Sequence, residues 1–299
     1  MSTASVLVVG ESLVDIVARP NGTVFEHAGG SAANVAVALA RLGRPVQFLT
    51  ALGDDKNGAV LAQLLSQSGV GIVGDPHTVS RTATAMATIG IDGSASYVFD
   101  MEWRLGALPD ITPAAVHTCS IAAVLEPGAA QVQSLIDRLR PDATISYDIN
   151  ARPALTGVGP RLVRAVEEIA ARADLVKASD EDLESLYPGR SIEASAAHLL
   201  GLGPSAVIIT RGGQGATWIA DGLRVDVPAS HVRVADTIGA GDTFGAATID
   251  ALWDFDALGG RLPALDSAQV ESVLRHAARA AAVTISRPGA DPPYKQELL

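Results

Sequence analysis

The chain has 299 residues, 48% hydrophobic and 18% charged, which suits one large α/β domain with a sizeable core and excludes a disordered chain. Its net charge of −11 and pI of about 4.9 speak against nucleic-acid or anionic-membrane binding, which need a basic footprint. Cys119 is the only cysteine, so an internal disulfide and a Cys-rich metal site are excluded, and its apolar surroundings suit a small buried core residue.

The start, Met1-Ser-Thr-Ala-Ser5, has no basic region and leads straight into Val6-Leu-Val-Val9, a run too short for a signal core. No apolar run approaches membrane-spanning length, so a cytoplasmic enzyme without a membrane partner is expected. The run 6–9 predicts a buried first strand ending at Gly10. Extended segments are expected over 15–24, around the turn residues Pro20-Asn-Gly22. A helix is expected over 34–42, with Val35, Leu39 and Leu42 on one face and Gly43 as its stop. A strand at 46–49 and a helix over 58–68 follow. Segments 81–91 and 94–99 predict a hairpin about Asp92-Gly93. Further on, short strands at 144–147, 175–177 and 206–210 alternate with helical stretches near 130–140, 161–172, 180–186 and 192–200. This βαβα rhythm implies an α/β fold whose mostly parallel sheet is covered on both faces.

The most informative segment is Asp236-Thr-Ile-Gly-Ala-Gly-Asp-Thr-Phe244. Gly239, Ala240 and Gly241 are small residues at the mouth of a predicted helix. The first N–H groups of a helix lack internal partners and carry partial positive charge, which makes an anion cradle. Asp242 lies in the first turn beside it. A cradle with a carboxylate at its edge suits phosphoryl transfer to an alcohol: the cradle takes developing charge and Asp242 takes the hydroxyl proton. The plainer reading is that Asp242 only complements the helix dipole. No Walker A loop precedes Lys56, Lys177 or Lys295, the chain's lysines, and protein-kinase signatures are absent, so any use of ATP relies on another scaffold.

The same segment resembles the C-terminal signature of the ribokinase-like (PfkB) carbohydrate kinases. Gly29-Gly-Ser-Ala-Ala-Asn-Val-Ala-Val-Ala-Leu-Ala-Arg-Leu-Gly43 resembles the family's N-terminal signature, and the two stand in its order. The resemblance covers nearly the whole chain. It implies a ribokinase-like three-layer sandwich over residues 1–299, with a mostly parallel central sheet and a small β-sheet lid from segments near 12–25 and 81–100. Read from strand pattern alone, those segments are equally edge hairpins of the main sheet. Within the family, Gly10-Glu-Ser-Leu-Val-Asp15, Asp148-Ile-Asn-Ala-Arg-Pro153 and the Ser286-Arg-Pro-Gly-Ala-Asp-Pro-Pro293 stretch are most similar to fructokinases. Ketodeoxygluconate kinases share much of this pattern, and a non-catalytic sensor is the rival outside the class.

The resemblance implies site residues as well. Asp15, Gly29, Gly30 and Asn34 would hold sugar hydroxyls, with Asn150 and Arg152 facing the same cleft, although Asn34 is also a plain helix cap. Phe99, with Tyr97 and Trp103, would cover the apolar face of the sugar; Arg104 or Arg152 would serve an acid sugar. Thr210, Gly212 and Gly215 would line the ATP phosphates and ribose, together with Gly241, and Ala278 the base. Ser179 and Asp182 replace the family's Asn and Glu near the Mg²⁺-bound phosphates, where Ser179 is equally an ordinary cap. Glu126 and Asp148 would act on Mg²⁺ largely through water, as Mg²⁺ keeps several waters. Asp236 and Ser286 occupy plausible K⁺ positions. A homodimer through the lid would cover its exposed edges.

Overall fold

The computed structural model describes residues 4–18, 23–89 and 95–299, and side chains outside 88–97. The expected turns at 20–22 and 92–93 therefore lie outside the described residues. In chain order the elements are β1 (Val6–Val9), β2 (Leu13–Ala18), β3 (Val24–Gly29), α1 (Ser31–Arg41), β4 (Val46–Leu49), α2 (Lys56–Gln67), β5 (Gly71–Ile72), β6 (Ala83–Ile89), β7 (Ala95–Asp100) and β8 (Ala115–Cys119). There follow α3 (Gly128–Leu139), β9 (Thr144–Asp148), the single turn α4 (Pro153–Thr156), α5 (Pro160–Ala170), β10 (Leu175–Ser179), α6 (Asp180–Leu186), α7 (Ile192–Gly201) and β11 (Ala206–Thr210). The chain closes with β12 (Ala216–Ala220), β13 (Leu223–Val227), α8 (Ala240–Asp254) and α9 (Ser267–Ile285).

Nine strands form one sheet in the order β13-β12-β11-β10-β9-β8-β1-β4-β5. The strands from β11 to β5 run parallel, and β12 and β13 add an antiparallel edge. Parallel strands are buried on both faces, which is why β1 is an unbroken aliphatic run with every residue buried. Val176, Val207 and Ile209 join α3, α5, α6 and α7 in one core. Leu175, Ala206 and Ile208 point the other way, toward α8 and α9, and Val6 and Val8 toward α1. The result is three layers, helix on sheet on helix. No helix among the described residues is long and apolar enough to cross a membrane.

The remaining strands form a separate four-stranded sheet, β3-β2-β6-β7, rather than edges of the main one. β2 pairs antiparallel with β3 and parallel with β6, and β6 pairs antiparallel with β7. One face puts Val14, Ile16 and Ala28 against Leu61 and Leu52, which seats the small sheet on the body. The opposite face carries Leu13, Asp15, Ala83, Ala85 and Phe99, as strand alternation requires.

α8 is buried along Asp242–Leu252, so it reads as apolar and small all round rather than amphipathic. It packs between α1 and α9. α1 begins at Ser31, earlier than periodicity suggested, because Gly30 at φ 102° turns the chain out of β3 directly into the helix.

Candidate active site

α8 opens at Gly239, whose φ of 75° is left-handed. A Cβ there would lie 2.7 Å from Cβ of Ala290, so glycine is required on two counts. The segment 286–290 braces this turn from outside. Gly289 N–H donates to Oδ2 of Asp236 at 2.9 Å, and Ile238 N–H donates to Oδ1 at 3.0 Å. Burial alone would raise the Asp236 carboxyl, but these backbone donors hold it below its usual range. Ser286, exposed, donates its hydroxyl to Val283 O at 2.7 Å.

Asp242 is buried in the first turn and both its oxygens are held. Oδ1 accepts from Ser31 Oγ at 2.7 Å, and Oδ2 accepts from Asn34 Nδ2 at 2.8 Å. Asn150 Nδ2 in turn donates to Ser31 Oγ at 2.7 Å. Asn150 adopts a positive φ of 37°, rare for a residue with a side chain. The Ser31 N–H donates to Oε1 of Glu11 at 3.1 Å. Burial pushes the Glu11 carboxyl up to about 8, and its Oε2 has no partner among the described residues.

On the small-sheet side, a Cβ on Gly29 would lie 3.1 Å from Oδ2 of Asp15 and 3.9 Å from Oδ1 of Asn34. The missing side chain thus leaves a hollow lined by a carboxylate and an amide, and Gly30 lets the backbone close on Glu11 O behind it. Burial raises the Asp15 carboxyl, opposed by the charges of His27 and Arg152. Arg152 itself is exposed and donates to Ala151 O at 2.9 Å. Phe99 packs partly buried on Leu13, Ala83 and Ala85. Trp103 does not reach the hollow. It is 2% exposed in the main core, donates Nε1 to Ala122 O at 3.1 Å, and lies where a Cβ on Gly128 would stand 2.2 Å away. A tryptophan satisfies its apolar body better in that slot than at a wet cleft. The side chain of Tyr97 lies outside the described residues.

Beneath the cradle, Lys177 Nζ donates to Asp148 Oδ2 at 2.7 Å, both side chains being buried. Oδ1 of Asp148 has no partner among the described residues. Asp182 forms a capping box with Ser179, and its Oδ1 also accepts from Ala151 N–H at 2.8 Å. It therefore ties the loop after β9 to the start of α6. Ser179 and Thr210 are register partners at the ends of β10 and β11. The following turn holds Gly212 at φ 47° and Gly215 at φ 98°, the latter with no room for a side chain against Val227 O. Glu126 is exposed at the start of α3, where Oε2 accepts from Ala130 N–H at 3.3 Å. Among the described residues no three carboxylate, His or Cys side chains converge as a preformed metal cage. Ala278 lines an open cleft of about 600 Å³ with Pro228, Ser230, Ser272, Arg275 and Arg279.

The structure thus gathers Asp15, Gly29, Asn34, Asn150, Gly239, Gly241 and Asp242 at one place. Asp148 joins them from below through Lys177. It sets Ala278 apart on α9, and gives Glu126 no hydrogen bond to the others. Sequence reasoning passed over Ser31, Glu11 and Lys177. A lone lysine in an apolar strand was the available signal for Lys177. Ser31 and Glu11 sit inside motifs whose neighbours carry the stronger signals.

Known proteins resemble this chain in sequence and fold. The description "pfkB family carbohydrate kinase" matches residues 3–297. The chain is 34% identical over 261 residues to a fructokinase of Rhizobium leguminosarum bv. trifolii, covering 83% of this chain and 79% of that one. It is 33% identical to fructokinase-1 of Oryza sativa subsp. japonica, covering 100% and 97%. The crystal structure of a fructokinase from Xylella fastidiosa with bound ATP superposes with a TM-score of 0.83 at 28% identity, over 98% of this chain and 97% of that one.

Proposed function

Since this chain belongs to the pfkB family of carbohydrate kinases, we propose that it transfers the terminal phosphoryl group of ATP to fructose, giving fructose 6-phosphate. The observation that carries the reading is the Asp242 carboxylate, held at the mouth of the α8 cradle and linked through Asn34 to the hollow at Gly29. A hydroxyl placed in that hollow meets a base on one side and an anion cradle on the other. Asp242 accepts its proton, and the N–H groups from Gly239 to Asp242 stabilise the charge on the moving phosphoryl group. Catalysis is then mainly positioning and electrostatics. Asp15, Asn34 and the backbone at Gly29 and Gly30 hold the sugar, with Phe99 on its apolar side and Arg152 at the rim.

In this reading the base of ATP would occupy the cleft at Ala278, and its phosphates would run along Thr210, Gly212, Gly215 and Gly241. The nucleotide-bound Mg²⁺, when present, neutralises phosphate charge. Asp148, with one oxygen unpartnered, and exposed Glu126 suit water-mediated contact to it. Ser179 and Asp182 hold the strand end that faces the phosphates. Asp236 and Ser286 would be the residues to hold a K⁺ ion beside the cradle. A second reading, an acid sugar such as 2-keto-3-deoxygluconate, draws on the Arg152 charge felt by Asp15. The test is ATP turnover with fructose, ribose, 2-keto-3-deoxygluconate and adenosine. Fructose should give the highest kcat/KM. A clear win for another acceptor overturns the substrate, and no turnover with any of them favours a sensor.

A further inference from the structure

We propose that Ser31 is a positioning residue for phosphoryl transfer, its hydroxyl locked by Asn150 so that it holds the Asp242 carboxylate in one orientation. The proposal rests on the reading of Asp242 as the base. A serine hydroxyl has one proton to give and lone pairs to receive. Here Asn150 Nδ2 donates into a lone pair at 2.7 Å, which leaves the proton for Asp242 Oδ1 at 2.7 Å. The direction of the bond is thereby fixed. The backbone of Ser31 is fixed as well, because its N–H is tied to Glu11 Oε1 at 3.1 Å.

The two holders of Asp242 differ in what else they do. Asn34 borders the sugar hollow beside Gly29, so its amide is shared with the acceptor. Ser31 is 7% exposed, and its hydrogen bonds run to Glu11, Asn150 and Asp242. Asn150 adopts left-handed backbone at the end of β9, a conformation that persists when surroundings over-determine it, and there its amide reaches Ser31. A carboxylate oxygen that accepts one bond retains another lone pair, so Asp242 can receive the acceptor proton while still held.

The test compares Ser31→Ala, Asn150→Gly, their double variant and Asp242→Asn by kcat and by KM for sugar and ATP. Alanine is a good helix former, and Ala32 and Ala33 already follow, so α1 tolerates the change. Asn150→Gly keeps the left-handed backbone while removing the amide. Ser31→Ala should lower kcat about tenfold with KM for sugar and ATP little changed, as for a lost hydrogen bond to a charged group. Asn150→Gly should lower kcat by less, and should add nothing in the Ser31→Ala background.

A normal kcat in Ser31→Ala, beside a loss of at least about 100-fold in Asp242→Asn, overturns the role of Ser31 alone. Near-normal kcat in Asp242→Asn overturns the base itself. A raised sugar KM from Asn150→Gly, equal in both backgrounds, assigns Asn150 to the sugar and overturns the lock. If Ser31→Ala does not fold, Asn150→Gly alone decides, by whether kcat falls while KM for sugar and ATP holds.

Discussion

Lys177 on β10 and Asp148 on β9 are register partners whose side chains meet at 2.7 Å beneath the first turn of α8. A Cβ on Gly241 would stand 3.4 Å from Nζ of Lys177. Burial alone would lower the ammonium, but Asp148, Asp182 and Asp242 together hold it above its ordinary value, so it stays charged. A fixed positive charge therefore lies under the proposed phosphoryl site of a strongly acidic chain.

Breaking this pair strands a buried carboxylate. Lys177→Met should cost about 3–5 kcal/mol of stability, and Lys177→Met with Asp148→Asn should regain much of it. Urea unfolding of the single and double variants measures both. Equal stability of Lys177→Met and the parent would show that the pair contributes nothing beyond its isostere.

Gly239→Ala meets two obstacles, a φ of 75° and Ala290 at 2.7 Å from the added Cβ. A loss of about 1–3 kcal/mol is expected, with kcat falling because the cradle turn moves. Adding Ala290→Gly should relieve the contact and leave the backbone strain. Full recovery in the double variant would show that the left-handed turn imposes no cost.

Two buried groups titrate in opposite senses. Burial holds His117 down to about 3 and pushes Glu11 up to about 8, from ordinary values of 6.5 and 4.5. The unfolded chain protonates His117 first, so its contribution is full above 6.5 and lost as pH falls toward 3. The folded chain keeps the Glu11 proton longer, so that contribution is full below 4.5 and lost as pH rises toward 8. Each is worth up to about 5 kcal/mol, and their slopes cancel between the two ordinary values. Denaturant unfolding at about pH 4, 5.5 and 8.5 should show Glu11→Gln removing the alkaline decline and His117→Asn the acid one. Parallel curves for variant and parent would refute each assignment.

The small sheet leaves Val24, Met86 and Val98 on one face, exposed by 56%, 41% and 65%. Register puts all three on the side opposite Asp15. We expect this face to pair two copies of the chain. Light scattering should give twice the chain mass, and Val98→Asp with Met86→Lys should halve it. A monomer at working concentration refutes the dimer.

Much of the body was legible. β1, β4 and β11 follow apolar runs that burial on both faces demands, and the helices start within a few residues of their periodic patterns. The Gly-rich segment at 239–241 announced the helix mouth where α8 begins. What escaped depends on distant pairing. β2 lies beside β6 through a register that no local pattern encodes. Ser31 and Asp242 are 211 residues apart, and Lys177 meets Asp148 only once the sheet order is known. Trp103 was assigned to the sugar because an aromatic side chain suits a sugar face and a core slot equally well by composition. The slot left by Gly128 decides it.

β2 and β3 are inserted between β1 and α1, so Asp15, Gly29 and Asn34 all fall within one short early stretch, while the cradle is encoded near the other end. In the proposed reading, acceptor choice and phosphoryl handling are written in separate tracts of the gene. Substitutions can then retune which sugar is accepted without disturbing the donor machinery, provided Ser31 and Asn34 still meet Asp242.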